Sequence, residues 1–260
     1  MKIALLFLTI ANIYHEPYWK QFLQGNESNY SIYIHAKEGI SADSFFKPYE
    51  LPSTVPTTWA NTMKAQILLL KQALQDPLNE KFIFLSESTL PLRSFQQIYS
   101  IIMATDTSIF NYVPNPHQHI QNHLYNRRSL KDIPAEFRYK CSQWVILNRK
   151  HAGKIINDSY YIDLITRYEA DNELYPATFL ASQGLLSEVT KVDKTYVNWQ
   201  KHNPPGSGNS IPFMFTNLHE PDQLICITKA ISQGYLFARK FSKDANLIPL
   251  HSYLPYMNSK

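Results

Sequence analysis

The sequence is short of glycine and cysteine, and these shortages argue against several classes of protein. Among 260 residues there are 7 glycines, and neither a Gly-x-Gly-x-x-Gly fingerprint nor a P-loop occurs, which disfavours dinucleotide-binding Rossmann domains and P-loop NTPases. A Gly-x-Ser-x-Gly elbow is also missing, which disfavours an α/β hydrolase. The two cysteines, Cys141 and Cys226, are too few for a disulfide framework or a Cys-rich zinc site, and they favour a reducing compartment.

Long hydrophobic runs are missing as well. The apolar run near the N-terminus covers only Ile3 to Ile10 and has no clear cleavage site after it, so we interpret it as a buried strand and not as a signal peptide. No segment is long enough to span a bilayer. We therefore expect a cytoplasmic protein, and its pI of 8.8 is compatible with peripheral association with an acidic membrane surface.

The composition is that of a globular protein without a dedicated nucleic-acid surface. Hydrophobic residues make up 44% of the chain and charged residues 18%, which excludes a disordered polypeptide. The net charge is +4, but the lysines and arginines are scattered along the chain. This pattern argues against nucleic-acid binding and is compatible with an anionic ligand.

The hydrophobic pattern alternates between strands and helices, which indicates an α/β fold with a mostly parallel, Rossmann-like central sheet flanked by helices. The first half predicts strands at Lys2–Ile10, Tyr30–His35 and Phe82–Leu85, and helices at His15–Leu23, from Thr57 or Thr58 to Leu74, and at Phe95–Met103. The second half predicts strands at Ser108–Val113, Ser142–Leu147 and Thr195–Trp199, and helices at Arg149–Asn157, at Tyr160–Tyr168 and from Pro176.

The buried strand Phe82–Leu85 ends at Ser86-Glu87-Ser88, and Pro91 bars a simple continuation. Open α/β sheets build ligand crevices from polar side chains at the carboxyl ends of such strands. A solvated turn is the alternative interpretation of this stretch by itself.

Six blocks, in a fixed order, resemble the core-2/I-branching β-1,6-N-acetylglucosaminyltransferase family, in its plant-type and bacterial branch. They are VPTTWANTMKAQILLLKQAL, KFIFLSESTLPLRSF, CSQWVILNRKHA, ADNELYPATFL, TYVNWQ and YLFARKF. The resemblance extends from about Lys2 to Phe241 and implies a single GT-A type domain over residues 1–260. It further implies an inverting transfer of a sugar from a UDP-sugar, without a divalent metal or other cofactor.

The sequence contains no Asp-x-Asp triplet, in agreement with this resemblance. Ser86-Glu87-Ser88 stands where the triplet would be expected. A single carboxylate supplies too few oxygen ligands to bind Mg²⁺ or Mn²⁺ well. Two alternatives stay open. His117, His119 and His123 have a spacing that a metal site could use, and Glu169-Ala170-Asp171 could imitate the missing triplet.

The resemblance assigns the catalytic base to Glu173. An inverting transfer needs a base that accepts the proton of the attacking hydroxyl. In the family this base is the Glu of an acidic pair just before a helix, whereas here Asn172 replaces the usual Asp. Without the resemblance, Glu173 could equally be a helix-start carboxylate stabilised by the helix dipole.

The resemblance also assigns the contacts of the two substrates. Lys240, with Arg239 beside it, would neutralise the departing UDP, although Ile211-Pro212-Phe213 stands where a further arginine is expected; a solvated basic pair is the alternative. The other donor residues would be His35, Trp59, Ser86, Glu87, Ser88, Ser142 and Gln143. The acceptor residues would be Trp199, Trp144, Arg127 and Arg128.

We therefore expect an enzyme that transfers a sugar, N-acetylglucosamine in the first instance, to a hydroxyl of a glycan or glycoconjugate. The segment of about residues 114–140 would shape the acceptor side, and the loop of about residues 203–210 would close over the donor. The alternatives are UDP-xylose or UDP-glucose as the donor, or a carbohydrate-binding relic without activity.

Overall fold

The computed structural model describes residues 1–115, 132–166, 170–199 and 211–248. Its strands are β1 (Lys2–Thr9), β2 (Tyr30–Ala36), β3 (Asn79–Ser86), β4 (Leu90–Pro91), β5 (Ser108–Ile109), β6 (Tyr112–Pro114), β7 (Tyr139–Cys141), β8 (Ile146–Asn148), β9 (Val189–Thr190), β10 (Thr195–Val197), β11 (Phe215–Asn217), β12 (Phe237–Arg239) and β13 (Phe241–Asn246). Its helices are α1 (Glu16–Leu23), α2 (Met63–Ala73), α3 (Phe95–Met103), α4 (Arg149–Ile156), α5 (Tyr160–Ile165), α6 (Asp171–Ser182) and α7 (Pro221–Ser232).

The central sheet has the strand order β2-β1-β3-β8-β5-β9. Strand β1 lies between β2 and β3 and is parallel to both, whereas β8 is antiparallel to its neighbours β3 and β5. The chain therefore passes from β1 to one side of the sheet and then crosses back to the other. Such a reversal opens a crevice outside the carboxyl ends of the strands, and the predicted mainly parallel α/β sheet is confirmed.

Helices cover both faces of this sheet because side chains alternate along β1. Ile3, Leu5 and Phe7 belong to one buried cluster, which the apolar faces of α1, α3 and α7 complete. Ala4 and Leu6 belong to the other cluster, together with side chains of α2, α4 and α6. The sheet is thus the middle layer of three, and the helices on its two faces leave the carboxyl ends of the strands free for a site.

A second, smaller sheet lies beside the carboxyl end of β3. Its order is β10-β12-β4, and Ala238 of β12 pairs with Leu90 of β4 in an antiparallel manner. Pro91 therefore lies on an edge strand, where its lack of a backbone N–H removes no hydrogen bond from the sheet. This pairing places Arg239, the last residue of β12, next to the polar turn that follows β3.

Several predicted boundaries were wrong. The helix expected from Thr57 or Thr58 begins only at Met63, and the helix expected from Pro176 already begins at Asp171, with Pro176 in its interior. Proline favours the first turn of a helix, but the residues around Pro176 are almost all buried, and their packing outweighs this local preference. The expected strand Ser108–Val113 is divided into β5 and β6.

Among the described residues, none of the helices is both long enough and apolar enough to cross a membrane.

Candidate active site

A cleft of about 630 Å³ opens at the carboxyl ends of β1 and β3, between the small sheet and the paired strands β6 and β7. Most of the residues that the sequence assigned to a site line this cleft. They are Trp59, Ser86, Glu87, Ser142, Gln143, Trp144, Glu173, Trp199, Arg239 and Lys240. The polar turn after β3 therefore forms the floor of a crevice and is not simply a solvated turn.

Hydrogen bonds among hydroxyl groups fix the turn after β3. The Ser86 hydroxyl oxygen lies 2.9 Å from Thr89 Oγ1 and 3.1 Å from Ser88 Oγ, and the Ser86 backbone N–H donates to Thr89 Oγ1. Ser86 Oγ also accepts a bond from Arg239 Nε at 3.3 Å. Ser88 is buried beneath the turn and does not line the cleft, so its role is to shape the floor.

Arg239 is held between this turn and an aromatic ring. Its guanidinium carbon lies 4.2 Å from the centre of the Trp144 ring, within the range of a cation–π contact. The residue is only 9% exposed, and burial lowers its pKa to about 10, while the nearby Glu87 opposes this shift. Arg239 therefore remains cationic at neutral pH and is fixed in position before any ligand binds.

Lys240 provides a second positive charge in the same part of the cleft. Its ammonium nitrogen lies 5.4 Å from the centre of the Trp59 ring, and Trp59 itself is 70% exposed. Burial and, to a lesser extent, Arg239 lower the pKa of Lys240, whereas Glu87 raises it. Two cations beside an open aromatic ring suit an anionic ligand that also carries a planar ring.

Glu173 lies elsewhere on the cleft wall, in the first turn of α6. One of its carboxylate oxygens lies 3.1 Å from the Lys140 ammonium, and its side chain is 35% exposed. The sequence expectation that this residue precedes a helix was wrong, since the helix begins before it.

The residues that precede Glu173 have structural roles. Asp171 is buried, and its Oδ1 accepts bonds from the backbone N–H groups of Thr62 and Met63 at 3.0 and 3.2 Å. Asn172 donates from Nδ2 to Thr62 Oγ1 at 2.8 Å. Because Asp171 caps α2 from a distant part of the chain, it is not at the cleft surface, and the alternative of a metal-binding Glu169-Ala170-Asp171 has no support from its position.

Of the remaining residues assigned to the donor, Gln143 and Ser142 line the cleft, whereas His35 does not. Gln143 donates from Nε2 to Thr62 Oγ1 at 3.3 Å, and Ser142 Oγ accepts the backbone N–H of Trp144 at 3.2 Å. His35 is buried and accepts the backbone N–H of Val55 at 3.0 Å. The structure does not bring His35 to the cleft wall.

Asp193, Asn111 and Tyr112 also line the cleft and have no counterpart among the sequence assignments, whereas Lys140 falls at the end of the segment of about residues 114–140 that was assigned to the acceptor side. Lys140 and Tyr112 lie on the paired strands β7 and β6. Part of β6 was predicted within the strand Ser108–Val113, whereas β7 is only three residues long and the hydrophobic pattern carried no signal for it. Their position on the wall depends on a pairing that joins distant parts of the chain.

Some assignments lie outside the described residues: Arg127, Arg128, the histidines 117, 119 and 123, Glu169 and the loop 203–210. Within the part of the chain that the structure describes, no group of three His, Cys, Asp or Glu side chains could hold a metal ion. Cys141 and Cys226 are free thiols.

Comparison with known proteins gives this cleft a context. Glycosyltransferase BC10 from Oryza sativa subsp. japonica is 26% identical over an alignment 303 positions long, gaps included, which covers 95% of this chain and 75% of the rice protein. The crystal structure of A197 from STIV aligns with 65% of this chain and 80% of its own length at 15% identity, with a TM-score of 0.30 that is too low to inform on function.

The model of the Core-2/I-Branching enzyme family matches residues 3–218, which is most of the chain. The three-layer architecture with its mainly parallel sheet agrees with the GT-A-like fold of that family. The chain therefore belongs to the Core-2/I-branching enzyme family of glycosyltransferases.

Proposed function

We propose that this protein transfers a sugar from a UDP-sugar to a hydroxyl of a glycan, with inversion at the anomeric carbon and without a divalent metal. N-acetylglucosamine is the donor sugar that we put first. The observation that carries the proposal is that one cleft combines a fixed pair of cations, Arg239 and Lys240, with the carboxylate of Glu173.

In the proposed reaction, the acceptor hydroxyl attacks the anomeric carbon from the face opposite to the UDP. Its proton moves to the Glu173 carboxylate while the new bond between oxygen and carbon forms. The bond from the anomeric carbon to the diphosphate oxygen breaks, and UDP leaves with its electron pair. No protein nucleophile is required, because the incoming oxygen belongs to the acceptor.

Arg239 and Lys240 would stabilise the negative charge that develops on the leaving diphosphate. Preformed cations in a site that excludes water contribute most where charge develops in the transition state. Arg239 suits this role because Trp144 and Ser86 already hold it in position. The cost of ordering the side chain is therefore met during folding and not during the reaction.

Lys140 would act on Glu173 and not on the diphosphate. Its ammonium lies 3.1 Å from the carboxylate, so it holds the carboxylate in position on the cleft wall. As the proton arrives, this ion pair weakens, and Lys140 becomes available to the acceptor or to solvent.

The test is the variant E173Q, with E220Q as a matched control because Glu220 is exposed and lies outside the cleft. We expect E173Q to lose transfer by at least about a hundredfold while its affinity for UDP, measured by calorimetry in EDTA, stays unchanged. Unchanged turnover in E173Q would refute the assignment of the base.

The same assays distinguish the alternatives. A panel of UDP-N-acetylglucosamine, UDP-xylose and UDP-glucose, with released UDP as the readout, identifies the donor. A wild-type protein that binds glycans but no UDP would be a carbohydrate-binding relic. Activity that EDTA abolishes and Mn²⁺ restores would contradict the proposal that no metal is needed.

A further inference from the structure

Asp193 is a second carboxylate in the cleft for which the proposed reaction has no use. It lies in the segment between β9 and β10, is half-buried and lines the same cleft as Glu173. The backbone N–H of Asn111 donates to its Oδ1 at 3.4 Å. Burial raises the pKa of Asp193, and the hydrogen bonds from Asn111 oppose this shift. Asn111 lines the cleft as well.

Asp193 is connected to the Glu173 side of the cleft through the paired strands β6 and β7. Asn111, whose backbone N–H donates to Asp193, precedes Tyr112 of β6, and Tyr112 pairs with Cys141 of β7. Lys140, which precedes Cys141, lies 3.1 Å from the Glu173 carboxylate. Arg239 and Lys240 lie at the turn after β3, beside Glu87, whereas the cation beside Glu173 is Lys140, which is paired with that carboxylate.

This arrangement of charges indicates which ligand the Asp193 side receives. A diphosphate would be repelled by the Asp193 carboxylate, whereas sugar hydroxyls are hydrogen-bond donors that a carboxylate accepts readily. Among the ion pairs of the described residues, none satisfies Asp193. A half-buried carboxylate without a cation is costly to keep ionised, and a hydroxylated ligand would offset that cost.

The surroundings of Asp193 have the composition of a sugar-binding site. Tyr112 follows Asn111 and lines the cleft, and Trp199, which lines it too, is 57% exposed. Aromatic rings pack against the apolar faces of pyranoses, while carboxylates and amides bind their hydroxyl groups.

We propose that Asp193 and Asn111 bind hydroxyl groups of the acceptor sugar and thereby orient its reacting hydroxyl toward Glu173. This inference rests on the proposed function, because it takes the other part of the cleft to hold the UDP-sugar. It makes Asp193 a positioning and specificity-determining residue, not a base.

The experiment compares D193A, D193N and the control D163N, since Asp163 is exposed on α5 and lies outside the cleft. Binding of p-nitrophenyl glycosides of galactose, glucose, xylose and N-acetylgalactosamine is measured by calorimetry, as is binding of UDP. For the best acceptor glycoside, D193A should weaken binding and raise the acceptor KM by about tenfold or more. D193N should be intermediate, and UDP affinity should stay within about twofold in every variant.

D193N distinguishes positioning from a structural role, because an asparagine oxygen can still accept the Asn111 N–H. If only that bond mattered, D193N would behave as the wild type, and this result would overturn the inference. A wild type that binds UDP but none of the glycosides would also overturn it. A wild type that binds glycosides through Asp193 but not UDP would instead refute the proposed function alone.

Discussion

The guanidinium carbon of Arg239 lies 4.2 Å from the centre of the Trp144 indole ring, although the two residues are far apart in the chain. Trp144 lies just before β8 of the central sheet, and Arg239 ends β12 of the small sheet. This contact and the bond from Arg239 Nε to Ser86 Oγ fix a cation in the cleft. The position of the proposed diphosphate site therefore depends on how the two sheets meet.

Replacement of Arg239 should weaken UDP binding. We expect R239A to reduce UDP affinity by roughly ten- to a hundredfold, because a hydrogen bond to a charged group contributes about 1.5–3 kcal/mol. R239K should recover only part of this loss, since lysine has no planar fork and stacks less well on Trp144. Calorimetry with UDP measures the effect. K154A is the control, because Lys154 is exposed and lies outside the cleft, and equal affinities in R239A and K154A would contradict the assignment.

The two exposed tryptophans of the cleft should separate donor binding from acceptor binding. Trp59 lies beside Lys240, whereas Trp199 follows β10. We expect W59A to weaken UDP binding by about tenfold, as stacking of a base on an aromatic ring contributes roughly 1–3 kcal/mol. W199A should leave UDP affinity unchanged and raise the acceptor KM. Both side chains are more than half exposed, so neither change should lower the Tm appreciably. If W199A weakened UDP binding and W59A raised only the acceptor KM, the donor and acceptor assignments of the two residues would be exchanged.

Asp171 should make the stability of the protein depend on pH. Burial raises its pKa from 3.8 to about 6, although bonds from Thr62 and Met63 oppose this shift. The folded state therefore binds the Asp171 proton more tightly than the unfolded state does. The contribution of this proton to the free energy of unfolding is complete below pH 3.8 and is lost as the pH rises through about 6. The variant D171N keeps an acceptor oxygen but cannot ionise. We expect denaturant unfolding at pH 4 and pH 7 to show that D171N does not lose this contribution to the free energy of unfolding at the higher pH.

The variant D171A measures the value of the cap itself. It removes the acceptor of two N–H groups at the start of α2, and loss of such a cap costs about 0.5–2 kcal/mol. We expect a lower free energy of unfolding in D171A than in D171N at the same pH. Equal stabilities of the two variants would show that the cap contributes nothing.

Much of the layered fold follows from local patterns in the sequence. Helix α3 begins at Phe95 and ends at Met103, as its spacing of apolar residues predicts, and the buried run before Ser86 forms β3. These elements are encoded locally, because an amphipathic face or a fully apolar run is enough to select the secondary structure. The family resemblance added Glu173, Arg239 and Lys240, which periodicity alone does not identify.

Tertiary structure decided the features that depend on contacts between distant residues. Asp171 caps α2 across 109 positions of the chain, and this contact explains why the helix does not begin at Thr57 or Thr58. Lys140 and Asp193 reach the cleft from short segments whose positions are set by strand pairing. A sequence pattern records which side chains are buried, but only the packing of the elements determines which charged groups face each other across a cleft.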